Sequence, residues 1–343
     1  MIVKPISQLI PADEQRAADL YKTSIVIEGL TYAPVFNHPA QSLNDIRKSG
    51  VTASHITVTR TSAGPLESLQ TISGWYAMAE KENIRFAYTP DDIVQSKKDG
   101  KLCIIMGTQN ANNFGDDLGL VRVFHRLGVR VAQLAYAEQN YIGSGGEDVD
   151  AGVSLFGRKM IDEMNKTGML IDVSHCADKT VMDAIKYSAK PIAFTHANPR
   201  KLINHHRNKT DEAMLACAEK GGVIGLTAWA LTATVKKGVR PTLENFMDMI
   251  DYDVKLVGID HVAFGLDLTP NWEHDREDFE KWAQMYPSLA PARYEDRLVD
   301  GLEHVSQVRS VARGLVARGY SDADIQKILG GNLLELYRNV WRP

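Results

Sequence analysis

GMLIDVSHC, residues 168–176, is a short apolar run through Leu170, Ile171 and Val173 that ends on His175 beside Cys176. PIAFTHANP, residues 191–199, repeats the design: Ile192, Ala193 and Phe194 lead into His196, 21 residues after His175. A run of this length, rich in β-branched side chains, reads as a buried strand. Two such runs ending in histidine ask for a fold that brings strand ends together.

Working outward, six more runs share the character. They are SIVIEG (24–29), GVTASHITVT (50–59), KLCIIMG (101–107), VRVAQLAY (129–136), GGVIGLTA (221–228) and HVAFGLD (261–267). Each is short and nearly continuous in apolar side chains, as parallel strands covered on both faces are. Amphipathic segments separate them, among them DDLGLVRVFHRLG, SLFGRKMIDEMNKTG, KTVMDAIKYSA and TDEAMLACAEKGG. Thr210 is placed to cap a helix, and Gly128, Gly168 and Gly221 to close one in the left-handed conformation. Eight strands alternating with helices predict an α/β fold, a closed (β/α)8 TIM barrel, over a single domain spanning residues 1–343. VSQVRSVARGLVARG and DIQKILGGNLLELYRNVW are expected as extra C-terminal helices packed outside it. A doubly wound open sheet is the weaker alternative, because no GxGxxG turn follows the first strand.

Composition narrows the function. Of 343 residues 44% are hydrophobic and 24% charged, and the net charge is −4 without a basic run, so neither nucleic acid nor an anionic membrane is an expected partner. The N-terminal MIVKPISQLIPADEQ lacks the continuous apolar core of a signal peptide. Cys103, Cys176 and Cys217 are odd in number and lack CxxC spacing, which speaks against a disulfide framework and fits a reducing, cytoplasmic location.

In such a barrel the working residues stand at the C-terminal ends of strands and in the loops beyond. Those positions hold Glu28 to Tyr32, Thr57 to Arg60, Gln109, Tyr136, His175, His196, Thr227 and Asp267. His175 and His196 leave neighbouring strands, so both imidazoles point into one mouth and are candidate ligands of a shared divalent cation. One such histidine alone is more often a hydrogen-bonded packing residue; the pair favours ligation. Asp267 is placed as general base, metal ligand or acceptor for a substrate ammonium, against a structural ion pair. NHHRNKTDE, residues 204–212, sets His205, His206, Arg207 and Asn208 over the mouth, where Arg207 suits a two-pronged grip on a carboxylate. His125, His261 and Cys176 read as structural, and GWYAMAEKEN as helix packing.

The segments LIDVSH, PIAFTHANPRKLINHHRN, GGVIGLTA, DHVAFGLD and GGNLLELYRNVW, in that order, resemble the membrane (renal) dipeptidase family, peptidase family M19. The resemblance implies a metallo-dependent hydrolase barrel holding two zinc ions, a bridging carboxylate and a hydroxide that attacks a dipeptide carbonyl. It assigns His175 and His196 as ligands of one zinc, Arg207 as a substrate contact, and Asp267 as the neighbour of the substrate amino group. It also makes a homodimer the expected assembly. Four positions depart from the pattern. Leu30 and Tyr32 stand in EGLTY where the family has His-x-Asp, Gln109 replaces the bridging glutamate, and Tyr136 replaces a substrate-contacting histidine.

Leucine has no donor atom and a neutral amide bridges two cations poorly, so at most one divalent metal, zinc by resemblance, is expected. Gln109, or a loop carboxylate such as Glu138 or Glu147, would complete its shell with water. Tyr32 and Tyr136 are candidates to donate a proton or hold an oxyanion, or simply fill space. The expected function is hydrolysis of a small amide or peptide-like substrate bearing a free carboxylate. The alternatives are a metal-independent isomerase, tautomerase or lyase using Tyr136, Tyr32, His175 and Asp267, and a lapsed enzyme that only binds a small molecule.

Overall fold

The computed structural model describes residues 4–32, 39–234, 238–270, 276–291 and 293–342. Among them lie nine strands: β1 (Ile27–Thr31), β2 (Ala53–Thr57), β3 (Arg85–Phe86), β4 (Cys103–Thr108), β5 (Val129–Gln133), β6 (Leu170–Asp172), β7 (Ala193–Phe194), β8 (Val223–Leu226) and β9 (Val262–Phe264). All pair in parallel, in the order β1-β2-β4-β5-β6-β7-β8-β9. A further bridge from Thr31 to Leu268, just past β9, closes the ring. The eight expected runs are therefore the eight staves of a TIM barrel. The unexpected ninth strand, β3, has two residues, too few to show a period, and pairs with the first half of β4.

The seam between β1 and β9 needs help, because the register of β1 shifts between Glu28 and Thr31. The buried Glu28 carboxylate accepts hydrogen bonds from the Leu30 N–H at 3.3 Å and the Leu266 N–H at 2.6 Å, one on each side of the seam. The Asp267 N–H then donates to the Leu30 carbonyl at 3.0 Å. A strand-end residue read as part of the mouth is thus a strut in the wall.

Backbone also packs into the barrel's centre. A Cβ at Gly225 or Gly265 would sit 2.2 or 1.9 Å from the Thr195 carbonyl oxygen, which accounts for the GL pair in both VIGL and FGL. Outside, the helix ends follow the sequence. Thr210 accepts from the Ala213 N–H, and Gly128, Gly168 and Gly221 have φ of 93°, 81° and 80°.

The C-terminal helices divide. Ser310–Ala317 packs outside the staves against Pro11–Thr23 and Leu243–Val257. Asn332–Val340, also expected outside, instead closes the barrel's N-terminal end. Its Leu333, Leu336, Tyr337 and Val340 share a core with Ile27, Val131, Leu170, Val223 and Ala263 from inside the staves. Helical periodicity shows that this face is apolar but not what it covers. No helix among the described residues is long and apolar enough to cross a membrane.

Candidate active site

The strands carrying the two histidines stop earlier than their apolar runs suggest, and one carboxylate is the reason. Asp172, the last residue of β6, accepts from the Ser174 N–H at 2.9 Å and from the Thr195 N–H at 3.1 Å. It ends both strands and turns both chains, so His175 and His196 stand on the turns just beyond β6 and β7. Their ring centroids are 4.9 Å apart with planes at 54°, a spacing compatible with a shared ion.

The hydrogen-bond network sets the His196 tautomer. Thr195 Oγ1 donates to Asp172 Oδ2 at 2.8 Å and lies 2.7 Å from His196 Nδ1, which must then donate to it. That leaves the Nε2 lone pair facing the Gln109 side-chain nitrogen at 3.3 Å. Carboxylate-to-imidazole relays of this kind orient metal-ligating histidines. His175 differs, because both of its buried ring nitrogens lack a hydrogen-bond partner. Burial, and after it the Arg207 guanidinium, hold both imidazoles well below the usual histidine range, so both are neutral.

A cavity of about 400 Å³ opens above them, lined by Tyr32, Gln109, Tyr136, His175, Arg207 and Asp267 of the predicted set. The remaining two lie elsewhere. His196 is fully buried and does not line the cavity; Gln109, which does, rests on its Nε2. Asn208, expected at the substrate, is also fully buried and donates its amide to the Ile203 and Thr232 carbonyls, each at 2.9 Å, so it ties the loop together. Neither loop carboxylate lines the cavity. Glu138 is exposed, and Glu147 is hydrogen-bonded by His206 and Ser288.

Arg207 is 6% exposed and donates to the Ser174 carbonyl. Asp267 follows β9 with φ of 59°, a left-handed conformation uncommon for a residue with a side chain and often kept at working positions. Burial pushes its carboxyl up to about 6, and Arg207 opposes the shift. Tyr136 stacks on His175 and lines the cavity beside it. Lys209 lies behind the histidines, wholly buried, donating to the Cys176 carbonyl at 2.7 Å; burial pushes it down to about 7.

Sequence reading missed one whole side of the cavity. Trp229 follows β8, while Phe279, Trp282, Met285 and Leu289 come from the helix Arg276–Met285 and the turn after it. The available signal was aromatic spacing in DFEKWAQMYPSL, a segment that no stave of the barrel accounts for. Arg60 also joins the rim. The residues read as structural are so placed: Cys176 and His125 are buried, and His261 Nδ1 meets the Gly222 carbonyl at 2.8 Å.

A closed parallel barrel here brings two histidines and an aspartate to its C-terminal end, where barrels of this kind carry their working residues. The family model described as membrane dipeptidase, peptidase family M19, matches residues 14–300 and 292–342, and the chain belongs to that family. Dipeptidase tcpJ of Claviceps purpurea is 29% identical over 278 residues, covering 80% of this chain and 59% of that protein. The chain spans only 51–59% of the length of the curated relatives it matches. An amidohydrolase from Pseudomonas aeruginosa is 32% identical with a TM-score of 0.85, covering 95% of this chain and 99% of that one. The probable dipeptidase PvdM from the same organism is 22% identical with a TM-score of 0.80, covering 96% and 99%, a likeness of fold.

The family's two-zinc centre does not fit the residues present. Leu30 offers no donor, Gln109 turns a neutral amide toward His196, and no group of three His, Cys, Asp or Glu side chains among the described residues gathers to hold an ion. The buried cations Arg207 and Lys209 add repulsion. What persists is a seat of two neutral imidazoles.

Proposed function

We propose that this protein hydrolyses a small amide or peptide-like substrate carrying a free carboxylate, with at most one divalent metal, held by His175 and His196. The observation that carries the reading is the placement of Arg207 and Asp267 beside His175 in one cavity. Membership of the dipeptidase family favours hydrolysis over a metal-independent isomerase or lyase and over a lapsed binder. Three free, buried cysteines support a reducing compartment.

A bound metal would supply Lewis acidity at the substrate carbonyl. The chain's own residues do the rest. Arg207 grips the substrate carboxylate and fixes the amide over His175. Asp267, a carboxyl poised near 6, takes the proton of the attacking water and returns it to the departing amine as the C–N bond breaks. The Tyr136 hydroxyl donates to the oxygen on which charge develops, and the aromatic segment above excludes bulk water.

The test is a matched panel of small amides with the terminal carboxylate free or amidated. Wild type should cleave the acids at least about 100-fold faster in kcat/KM, since one partner of a buried charge pair is absent in the amides. Arg207→Met should remove the difference while the fold, read by circular dichroism, persists. Equal rates on both forms in wild type would refute the reading.

A further inference from the structure

We propose that Trp229 and the segment 276–291 form a subsite for an aromatic side chain, so that the ligand of this cavity is an aromatic amino-acid derivative with a free carboxylate. The proposal deepens the reading above and rests on it only for the carboxylate grip.

The wall faces the ligand space as well as the protein. Trp229, Phe279, Trp282, Met285 and Leu289 line the same cavity as His175, Arg207 and Asp267. Phe279 and Leu289 are buried and back the wall, whereas Trp229 and Trp282 are half-buried and Met285 is 65% exposed. Large apolar side chains left open beside a buried arginine and a half-buried carboxyl are what a ligand with one apolar and one charged end would cover.

The ring geometry narrows the apolar end to a flat one. Trp229 and Trp282 meet edge to face at 5.6 Å and 86°, and Phe279 lies 5.8 Å from Trp282. The Trp229 indole N–H is already used, donating to the Leu289 carbonyl at 3.0 Å. What these rings offer a ligand is chiefly ring face and ring edge, the surfaces that pair with another aromatic ring.

The wall is also pinned before anything binds. Ser288 and His206 both hydrogen-bond the Glu147 carboxylate, tying the segment to the loop that carries Arg207. Tyr136 spans the gap, stacked on His175 at one side and packed in one apolar cluster with Leu289, Trp282 and Tyr286 at the other. A single tyrosine ring therefore separates the aromatic wall from the imidazole, about the reach of one amino-acid residue. Preorganised rings lose little freedom on binding, which favours affinity.

The experiment is isothermal titration of the purified full chain with N-acetyl-L-phenylalanine and with N-acetylglycine, which share the carboxylate and the amide and differ in the ring. Wild type should bind the phenylalanine compound at least about tenfold more tightly. Trp282→Ala and Trp229→Ala, each checked for a retained melting transition, should bring the ratio below about threefold, whereas Trp282→Phe, which keeps a flat ring, should preserve it. Failure of both compounds to bind, equal affinities in wild type, or a ratio that survives both alanine variants would overturn the proposal. Binding at the expected ratio with no amide cleaved would overturn the hydrolase reading alone.

Discussion

The phenol of Tyr136 lies on the imidazole of His175, centroids 4.1 Å apart and planes 29° from parallel. The stack shields a histidine whose two ring nitrogens have no protein partner, and it sets the phenol hydroxyl at the cavity. Tyr136→Phe keeps the stack and removes the proton donor, so kcat should fall about 100-fold with KM nearly unchanged. Tyr136→Ala opens the ring to water, and the His175 titration followed by NMR should move up toward the ordinary histidine range. No movement would show that burial by Tyr136 is not what holds His175 neutral.

Gln109 is the position at which an added anion tests the proposed metal seat. Its amide rests on His196 Nε2 at 3.3 Å, so Gln109→Glu places an anion beside the one His196 nitrogen the network leaves for ligation. Retained zinc, measured by elemental analysis after gel filtration, should rise to about one equivalent, with affinity at least about tenfold above wild type. An unchanged zinc content would mean that Arg207 and Lys209 outweigh the added charge.

Asp267 couples stability to pH. Its ordinary value is 3.8 and burial raises it to about 6 in the folded protein, so folding favours the protonated acid. That contribution is complete below about pH 4 and is lost as pH rises through about 6, amounting to about 3 kcal/mol at most. Asp267→Asn, which tolerates the same left-handed backbone, should therefore melt higher than wild type at pH 8 and nearly level with it at pH 4. Its kcat should drop about 100-fold, and the wild-type rise of kcat/KM with a midpoint near pH 6 should vanish.

Tyr337 tests the plug at the far end. It is 1% exposed and its ring stacks on Trp341 at 4.2 Å and 11°. Tyr337→Ala should cost about 3–5 kcal/mol in urea unfolding, the range for deleting a large buried ring. A loss below about 1 kcal/mol would place the helix on the outside after all.

The staves were legible because a strand buried on both faces must be apolar at nearly every position, and that needs no knowledge of its neighbours. The same reasoning placed the caps at Thr210, Gly128, Gly168 and Gly221, where the demand on the residue is local. Asn208 misled for a related reason. A polar residue in a mouth loop has the same letter whether it meets a ligand or, as here, ties the loop to the Ile203 and Thr232 carbonyls.

The sequence by itself determined the barrel, the pairing of His175 with His196, the presence of Arg207 and Asp267 at the mouth, and the missing donors at Leu30 and Gln109. Each follows from residue chemistry combined with position along a strand. Tertiary structure alone decided that Gln109 covers His196, that Glu28 braces the seam, that the last helix stoppers the barrel and that a tryptophan wall flanks the cavity. Those are contacts between residues far apart in the chain, 238 positions for Glu28 with Leu266 and 87 for Gln109 with His196. Such contacts form only once the chain has closed on itself, and no local pattern encodes them.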